Sequence, residues 1–141
     1  MAFDPSADYP LGQRRPELVT TPAGLPLDEV TLESLRAGRL AWGDLRATPE
    51  TLKRQSAVAL AAGRATLADN LARAAELATV PDETILEIYT ALRPHRSTAG
   101  ELGAWAERLA ELGAPLSAAF VREAAEVYAK RGLLAGEHAA V

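Results

Sequence analysis

Pro5, Pro10, Pro16, Pro22 and Pro26 interrupt the first thirty residues at intervals of four to six. No continuous helix survives that spacing, because each ring removes a backbone donor and pushes the residue before it toward extended geometry. The segment is therefore expected to be extended or turn-like. Phe3, Tyr9, Leu11, Leu18, Val19, Leu25 and Leu27 recur through it, which is more apolar than a disordered leader usually is. Residues 1–30 read as an arm that lies along a surface.

From Asp28 the pattern turns helical. Thr31 to Ala37 predicts a short helix closed by Gly38, and Leu40 to Arg46 a connection carrying Trp42. Thr48-Pro49-Glu50 supplies a cap, a proline at the first helical position and an acid at the positive end of the dipole, opening a helix that runs to Gly63. A second helix covers about 65–79, with Leu67, Leu71, Ala74, Ala75 and Ala78 along one side. Pro81-Asp82-Glu83, with Asp82 as cap, starts a third, whose stripe is Ile85, Ile88, Tyr89 and Leu92 and which Pro94 ends. Thr98 and Glu101 form a capping box for the fourth, which turns Leu102, Trp105, Ala106 and Leu109 inward and stops near Gly113. The last helix starts around Pro115, presents Leu116, Phe120, Ala124, Val127 and Tyr128 to the interior, and frays past Gly132. The fold class is all-α: a small domain of five to six helices over residues 31–132, an extended N-terminal arm over 1–30 and a frayed C-terminal tail over 133–141.

Thirty of the 141 residues are alanine. An alanine side chain removes far less apolar area from water than the roughly 1.5–3 kcal/mol worth of a buried Leu or Ile, so the private core is thin. Alanine is also the best helix former, and its small side chain lets helices approach one another or a flat partner closely. Such a chain is expected to lean on something else.

Several function classes fall away. The net charge is -4 and the basic residues are scattered, so there is no stripe for nucleic acid or an anionic membrane. The absence of cysteine excludes disulfides and thiolate metal sites. Nothing resembles a signal peptide or a transmembrane run, and the cytoplasm is the default location. His95 and His138 are the only histidines, so no two-histidine metal site is expected. Of the carboxylates Asp82, Glu83 and Glu87, the first two sit where a helix N-terminus wants negative charge and all three are expected to face water, so capping is favoured over paired acid-base work. His95 near Ser97 and Glu101 lacks the glycine-rich elbow and oxyanion hole of a nucleophilic site. No phosphate-cradling signature occurs. No catalytic, cofactor-binding or metal-ligating residue is expected. What remains is Arg93 and Arg96 around Pro94 and His95, with Tyr89 one turn upstream. Arginine and tyrosine anchor interfaces, and positive charge also suits a solvated helix end; the residues alone leave both readings open, and with them a free-standing helical adaptor or regulator.

A set of words in order narrows the choice: Asp8-Tyr9-Pro10-Leu11, Pro26-Leu27-Asp28 with Thr31-Leu32-Glu33, Thr48-Pro49-Glu50-Thr51-Leu52, Ala74-Ala75-Glu76-Leu77, Pro81-Asp82 through Leu86-Glu87-Ile88-Tyr89, Ala91-Leu92-Arg93-Pro94, Arg96-Ser97-Thr98, and Ala118-Ala119-Phe120-Val121-Arg122-Glu123. By these the chain, from about residue 8 to 132, resembles the small (gamma) subunit of adenosylcobalamin (B12)-dependent diol and glycerol dehydratases. The resemblance implies a cytoplasmic dimer of heterotrimers, in which a large (alpha) barrel subunit holds substrate and a medium (beta) subunit helps it clasp the coenzyme. The small subunit packs on the large one and supplies no catalytic group. The implied reaction is a radical dehydration of a 1,2-diol to an aldehyde plus water, a hydro-lyase activity in which the protein's part is to hold and exclude. Propane-1,2-diol and glycerol are not ranked, because the pocket belongs to another chain. On this reading Tyr9, Pro10 and Leu11 in the arm, and Tyr89, Arg93, Pro94, His95 and Arg96 at the turn, contact the large subunit. Three departures accompany the resemblance. His95 stands where an aromatic residue is usual, a change that weakens a stacking contact or makes it pH-sensitive. The stretch from Ala110 to Ser117 is shorter and less polar than expected. The chain begins almost at the arm, without the amphipathic leader that directs some relatives into a protein-shelled microcompartment, so encapsulation is expected only through a partner chain.

Overall fold

The computed structural model describes residues 2–136. Among them are seven α-helices and no β-strand, only an isolated antiparallel bridge between Thr20 and Pro26. The chain divides after Ala78 into two compact units, a boundary inside what the sequence reads as one helical domain over 31–132. The cause is local: the strongest packing is between helices that follow each other in the chain.

The first unit opens with the arm. It holds no long helix, yet it is less extended than expected, for single helical turns form between the prolines. α1 spans Leu11–Arg14 with Pro10 just before it in extended geometry, and a 3-10 turn over Pro16–Leu18 has Pro16 at its first position. A ring is tolerated at the start of a turn because the missing donor would be unused there. The Tyr9–Pro10 peptide is cis. A further 3-10 turn covers Leu27–Glu29. α2, Leu32–Arg36, is capped by Thr31, whose hydroxyl accepts from the Ser34 amide at 3.1 Å, and Gly38 beyond it has φ 73°. Trp42–Leu45 forms another 3-10 turn.

α3, Pro49–Ala61, and α4, Ala65–Leu77, make a hairpin across Ala62-Gly63-Arg64, with Gly63 at φ 72°. Thr48 caps α3 by accepting from the Thr51 amide at 3.2 Å, and Pro49 fills the first helical position. Ala59, Ala68 and Ala75 are the buried residues of the pair. With so little side chain between them, the helices come close enough for the Ser56 hydroxyl to donate to the Ala68 carbonyl at 2.7 Å.

The second unit begins with α5, Asp82–Ala91. Asp82 is not the cap: Pro81 occupies that position without a side-chain bond, and Asp82 and Glu83 lie in the first turn, where their charge still meets the positive end of the dipole. The stripe on α5 is also narrower than expected, for Ile88 is buried while Tyr89 is exposed. α6, Ala99–Glu111, and α7, Pro115–Arg131, form a second hairpin around Leu102, Ala106, Leu109, Ala114, Ala118 and Val121. The expected face of α7 holds in its second half, where Ala124, Val127 and Tyr128 are half-buried, but is rotated in its first half: Ser117, Ala118 and Val121 are buried, whereas Leu116 and Phe120 are 51% and 47% exposed. Small residues on the buried face allow close approach to α6, and that outweighs turning the larger side chains in. Trp105 is half-buried. Residues 133–136 do not fray. Leu134 is buried, the Ala135 amide donates to the Ser97 carbonyl at 2.9 Å, and Gly132 caps α7 in the left-handed region at φ 64°. Residues 137–141, including His138, lie outside the described residues.

The capping box of α6 is formed as predicted. The Thr98 hydroxyl accepts from the Glu101 amide at 3.2 Å, and the Glu101 carboxylate accepts from the Thr98 amide at 2.8 Å. Thr98→Ala is expected to cost about 1 kcal/mol in thermal or urea unfolding. The same backbone bond, followed by one from the Thr98 hydroxyl, holds the Glu101 carboxyl below its usual range. Because the folded pKa is the lower one, the unfolded chain takes up more protons as acid is added. The stability gap between wild type and Glu101→Gln is therefore expected to be constant above the ordinary Glu range, about pH 4.3, and to close as pH falls through the folded value.

Candidate partner-facing surfaces

Tyr9, Pro10 and Leu11 belong to a short, tied loop rather than a loose leader. The Arg15 guanidinium donates through Nη1 to Asp8 Oδ2 at 2.8 Å and through Nε to Glu17, bracketing Tyr9, Pro10 and α1 from both sides. The hydrogen bond from Arg15 is the main reason the Glu17 carboxyl lies below its ordinary range, and the Glu17 bond likewise raises Arg15. Arg14 Nη1 donates to the Ala7 carbonyl at 2.7 Å, and Arg54, from α3, donates to the Leu18 carbonyl at 2.6 Å. Held in this way, Tyr9, Leu11 and Val19 wall one side of a cleft of about 570 Å³, opposite Val58, Leu67 and Leu71 of α3 and α4. Tyr9 remains 59% exposed and Leu11 half-buried.

Tyr89, Arg93, Pro94, His95 and Arg96 lie at the end of α5 and in the turn after it, and all five are exposed. The backbone beneath them is pinned at several points. The Ser97 hydroxyl donates to the Ala91 carbonyl at 2.9 Å, the Tyr128 hydroxyl donates to the Leu92 carbonyl at 2.6 Å, and the His95 amide donates to the Leu133 carbonyl at 2.7 Å. His95 itself has φ 61°, a left-handed conformation in which a non-glycine residue is uncommon. A β-branched residue fits there worst and asparagine well, so His95→Val is expected to lower stability by about 1–2 kcal/mol and His95→Asn to leave the melting temperature nearly unchanged.

The structure thus brings the candidate residues together within each group; the first group belongs to the first unit and the second to the second. The sequence reading missed other large apolar side chains on the surface. Trp42 is 83% exposed, and Leu32, Leu60 and Leu86 are each more than half exposed. The signal for Leu32 and Trp42 was the shortness of their elements, since a helix of five residues or one 3-10 turn has no second face on which to bury a large side chain.

Among the described residues no three His, Asp or Glu side chains converge as a metal would require. The Ser97 hydroxyl is committed to a helix carbonyl, and Asp82 and Glu83 sit in the first turn of α5. Two tied loops present Tyr, Arg, Pro and His over a backbone held by these bonds, a composition suited to binding. The family described as "Dehydratase small subunit" matches residues 5–135. The chain belongs to this dehydratase small-subunit family. It is 50% identical over 131 residues to the propanediol dehydratase small subunit of Citrobacter freundii, covering 92% of this chain and 76% of that protein. It is also 50% identical over 132 residues to the propanediol dehydratase small subunit of Salmonella typhimurium, covering 93% of this chain and 76% of that one. As a member of the dehydratase small-subunit family, the chain is one subunit of a multi-subunit dehydratase and has partner subunits.

Proposed function

We propose that this chain is the non-catalytic small subunit of a B12-dependent propanediol or glycerol dehydratase, a hydro-lyase that converts 1,2-diols to aldehydes plus water, and that its work is to stabilise the large catalytic subunit. The observation that carries this reading is that one family spans nearly the whole chain, residues 5–135. Its physical support is the exposure of large side chains on both units, Tyr9 and Trp42 on the first and Tyr89 and Phe120 on the second, beside a core rich in alanine.

The partners in this reading are a large and a medium subunit in a dimer of heterotrimers. The arm around Tyr9-Pro10-Leu11 and the turn from Tyr89 through Arg96 touch the large one. Adenosylcobalamin supplies the radical that starts the dehydration. In this reading the coenzyme is not held here: the 570 Å³ cleft is lined mainly by aliphatic side chains of a hairpin and an arm, which give few hydrogen-bonding partners to a macrocycle rimmed with polar amides. The large and medium subunits hold it, and no step of the reaction passes through this chain. No helix among the described residues is long and apolar enough to cross a membrane. The cytoplasm is proposed as the location of the assembly, independently of that absence.

Co-expression of the chain with the large and medium subunits of its own organism tests the proposal. One complex of all three should elute together with aldehyde-forming activity on propane-1,2-diol or glycerol. A small subunit that elutes alone as a monodisperse monomer, beside an active complex of the other two, would contradict it.

A further inference from the structure

The arm as a grip presents a difficulty. A segment that orders only on meeting its partner loses conformational entropy at that moment, and the association weakens accordingly. The first unit removes much of that loss in advance. One guanidinium, Arg15, joins Asp8 and Glu17 across Tyr9, Pro10 and α1, and its side chain and that of Asp8 are both largely shielded from solvent, at 18% and 17% exposure. A second, Arg54, reaches from α3 to the Leu18 carbonyl, 36 residues away in the chain. Between these two ties the arm makes its own backbone bonds, from the amides of Asp8, Arg15, Leu18 and Val19 to the carbonyls of Asp4, Leu11, Arg15 and Pro16. Charge-assisted bonds of this kind are about twice as strong as neutral ones, and the planar fork of arginine serves two acceptors with little further loss of freedom.

We infer that Arg15 and Arg54 are positioning residues that pre-form the arm in the unassembled subunit, so that Tyr9, Pro10 and Leu11 are presented to the partner subunit already in their bound arrangement. This rests on the proposed contact between arm and large subunit, and adds to it that the arm is shaped before contact. The two ties differ in kind. Arg15 closes the arm on itself, and Arg54 fixes its end to the helical hairpin. Because both guanidinium groups are occupied within this chain, their role is in the fraction of competent subunits, and it shows in the rate of association rather than of dissociation.

The test uses the full chain and the separately purified large and medium subunits, with four variants: Arg15→Ala, Arg15→Lys, Arg54→Ala, and deletion of residues 2–20. In the free subunit, Arg15→Ala and Arg54→Ala should speed hydrogen exchange at the amides of Asp8, Arg15, Leu18 and Val19, and leave the α6/α7 amides unchanged. On assembly, each should lower the association rate constant roughly tenfold, the order expected for losing a charge-assisted bond, with little change in dissociation. Arg15→Lys, whose ammonium cannot span both carboxylates, should fall between wild type and Arg15→Ala. If the point variants exchange and associate like wild type while the deletion fails to assemble, the arm is a grip but pre-formation is wrong. A loss confined to dissociation overturns the inference as well, because it would place Arg15 or Arg54 in contact with the partner. If the deletion itself assembles normally, the underlying arm contact is wrong and the inference falls with it.

Discussion

Leu102→Ala is expected to lower the stability of the second unit by about 2–5 kcal/mol, the largest effect of any single truncation in this chain. Leu102, Leu109 and Val121 are the largest side chains that are fully buried. Their buried neighbours Ala106, Ala114 and Ala118 have no side chain to swing into a void. The two helices already meet through these alanines, so the space left by the isobutyl group stays open and the lost contacts are not replaced. Set against a total stability of about 5–15 kcal/mol for an ordinary domain, such a loss leaves the unit close to unfolding at growth temperature. Urea titration of the full chain, followed by the fluorescence of Trp105 on α6, measures it. Leu116→Ala on the exposed side of α7 is the control and should change stability by less than about 0.5 kcal/mol. Equal effects at the two positions would mean that α7 packs by the face carrying Leu116 and Phe120.

The second large effect concerns assembly. Arg93→Ala combined with Arg96→Ala is expected to weaken association with the large subunit by roughly a hundredfold or more, since truncating an anchoring arginine in a desolvated interface costs about 2 kcal/mol or more. Both side chains are exposed and stand on a turn held by Ser97, Tyr128 and the His95 amide, so a partner meets them in a fixed arrangement. The loss of favourable charge at the end of α5 is smaller, about 0.3–1 kcal/mol, and should leave helix content and melting nearly as in wild type. Affinity measured by interferometry against the purified large subunit distinguishes the two. Unchanged affinity, with co-purification intact, removes this turn from the interface.

What the sequence disclosed and what it withheld follow one division. Features decided within four residues were legible: the Thr48-Pro49 start of α3, the Thr98–Glu101 box, and the glycines at 38, 63, 113 and 132 that close helices in the left-handed region. Features decided by packing were not. On α7 the alanines at 118, 119, 124 and 125 make several faces nearly equal in polarity, so the choice between Phe120 and Val121 fell to α6. The left-handed backbone at His95 had no glycine or asparagine to announce it, and sits where the His95 amide donates to the Leu133 carbonyl and the Ala135 amide donates to the Ser97 carbonyl. The composition of Tyr89 to Arg96 left partner contact and a solvated helix end both open, and Tyr89 was also read as part of the buried stripe, because period alone does not separate the edge of a stripe from its centre. Trp42 was placed only in a connection, with no side assigned to it, because a single 3-10 turn carries no period from which a buried face can be read.

This chain serves an enzyme as its small subunit. The most direct measurement is aldehyde formation from propane-1,2-diol, with adenosylcobalamin added, by the large and medium subunits alone and then with this chain supplied in increasing amounts. The account predicts that activity is low or short-lived without the chain and rises to a plateau at one small subunit per large subunit. It predicts the same plateau when Asp82, Glu83 or Ser97 is replaced by alanine in protein that still folds. Full, lasting turnover with the chain left out, or a plateau abolished by a folded Ser97→Ala variant that still assembles, would contradict it.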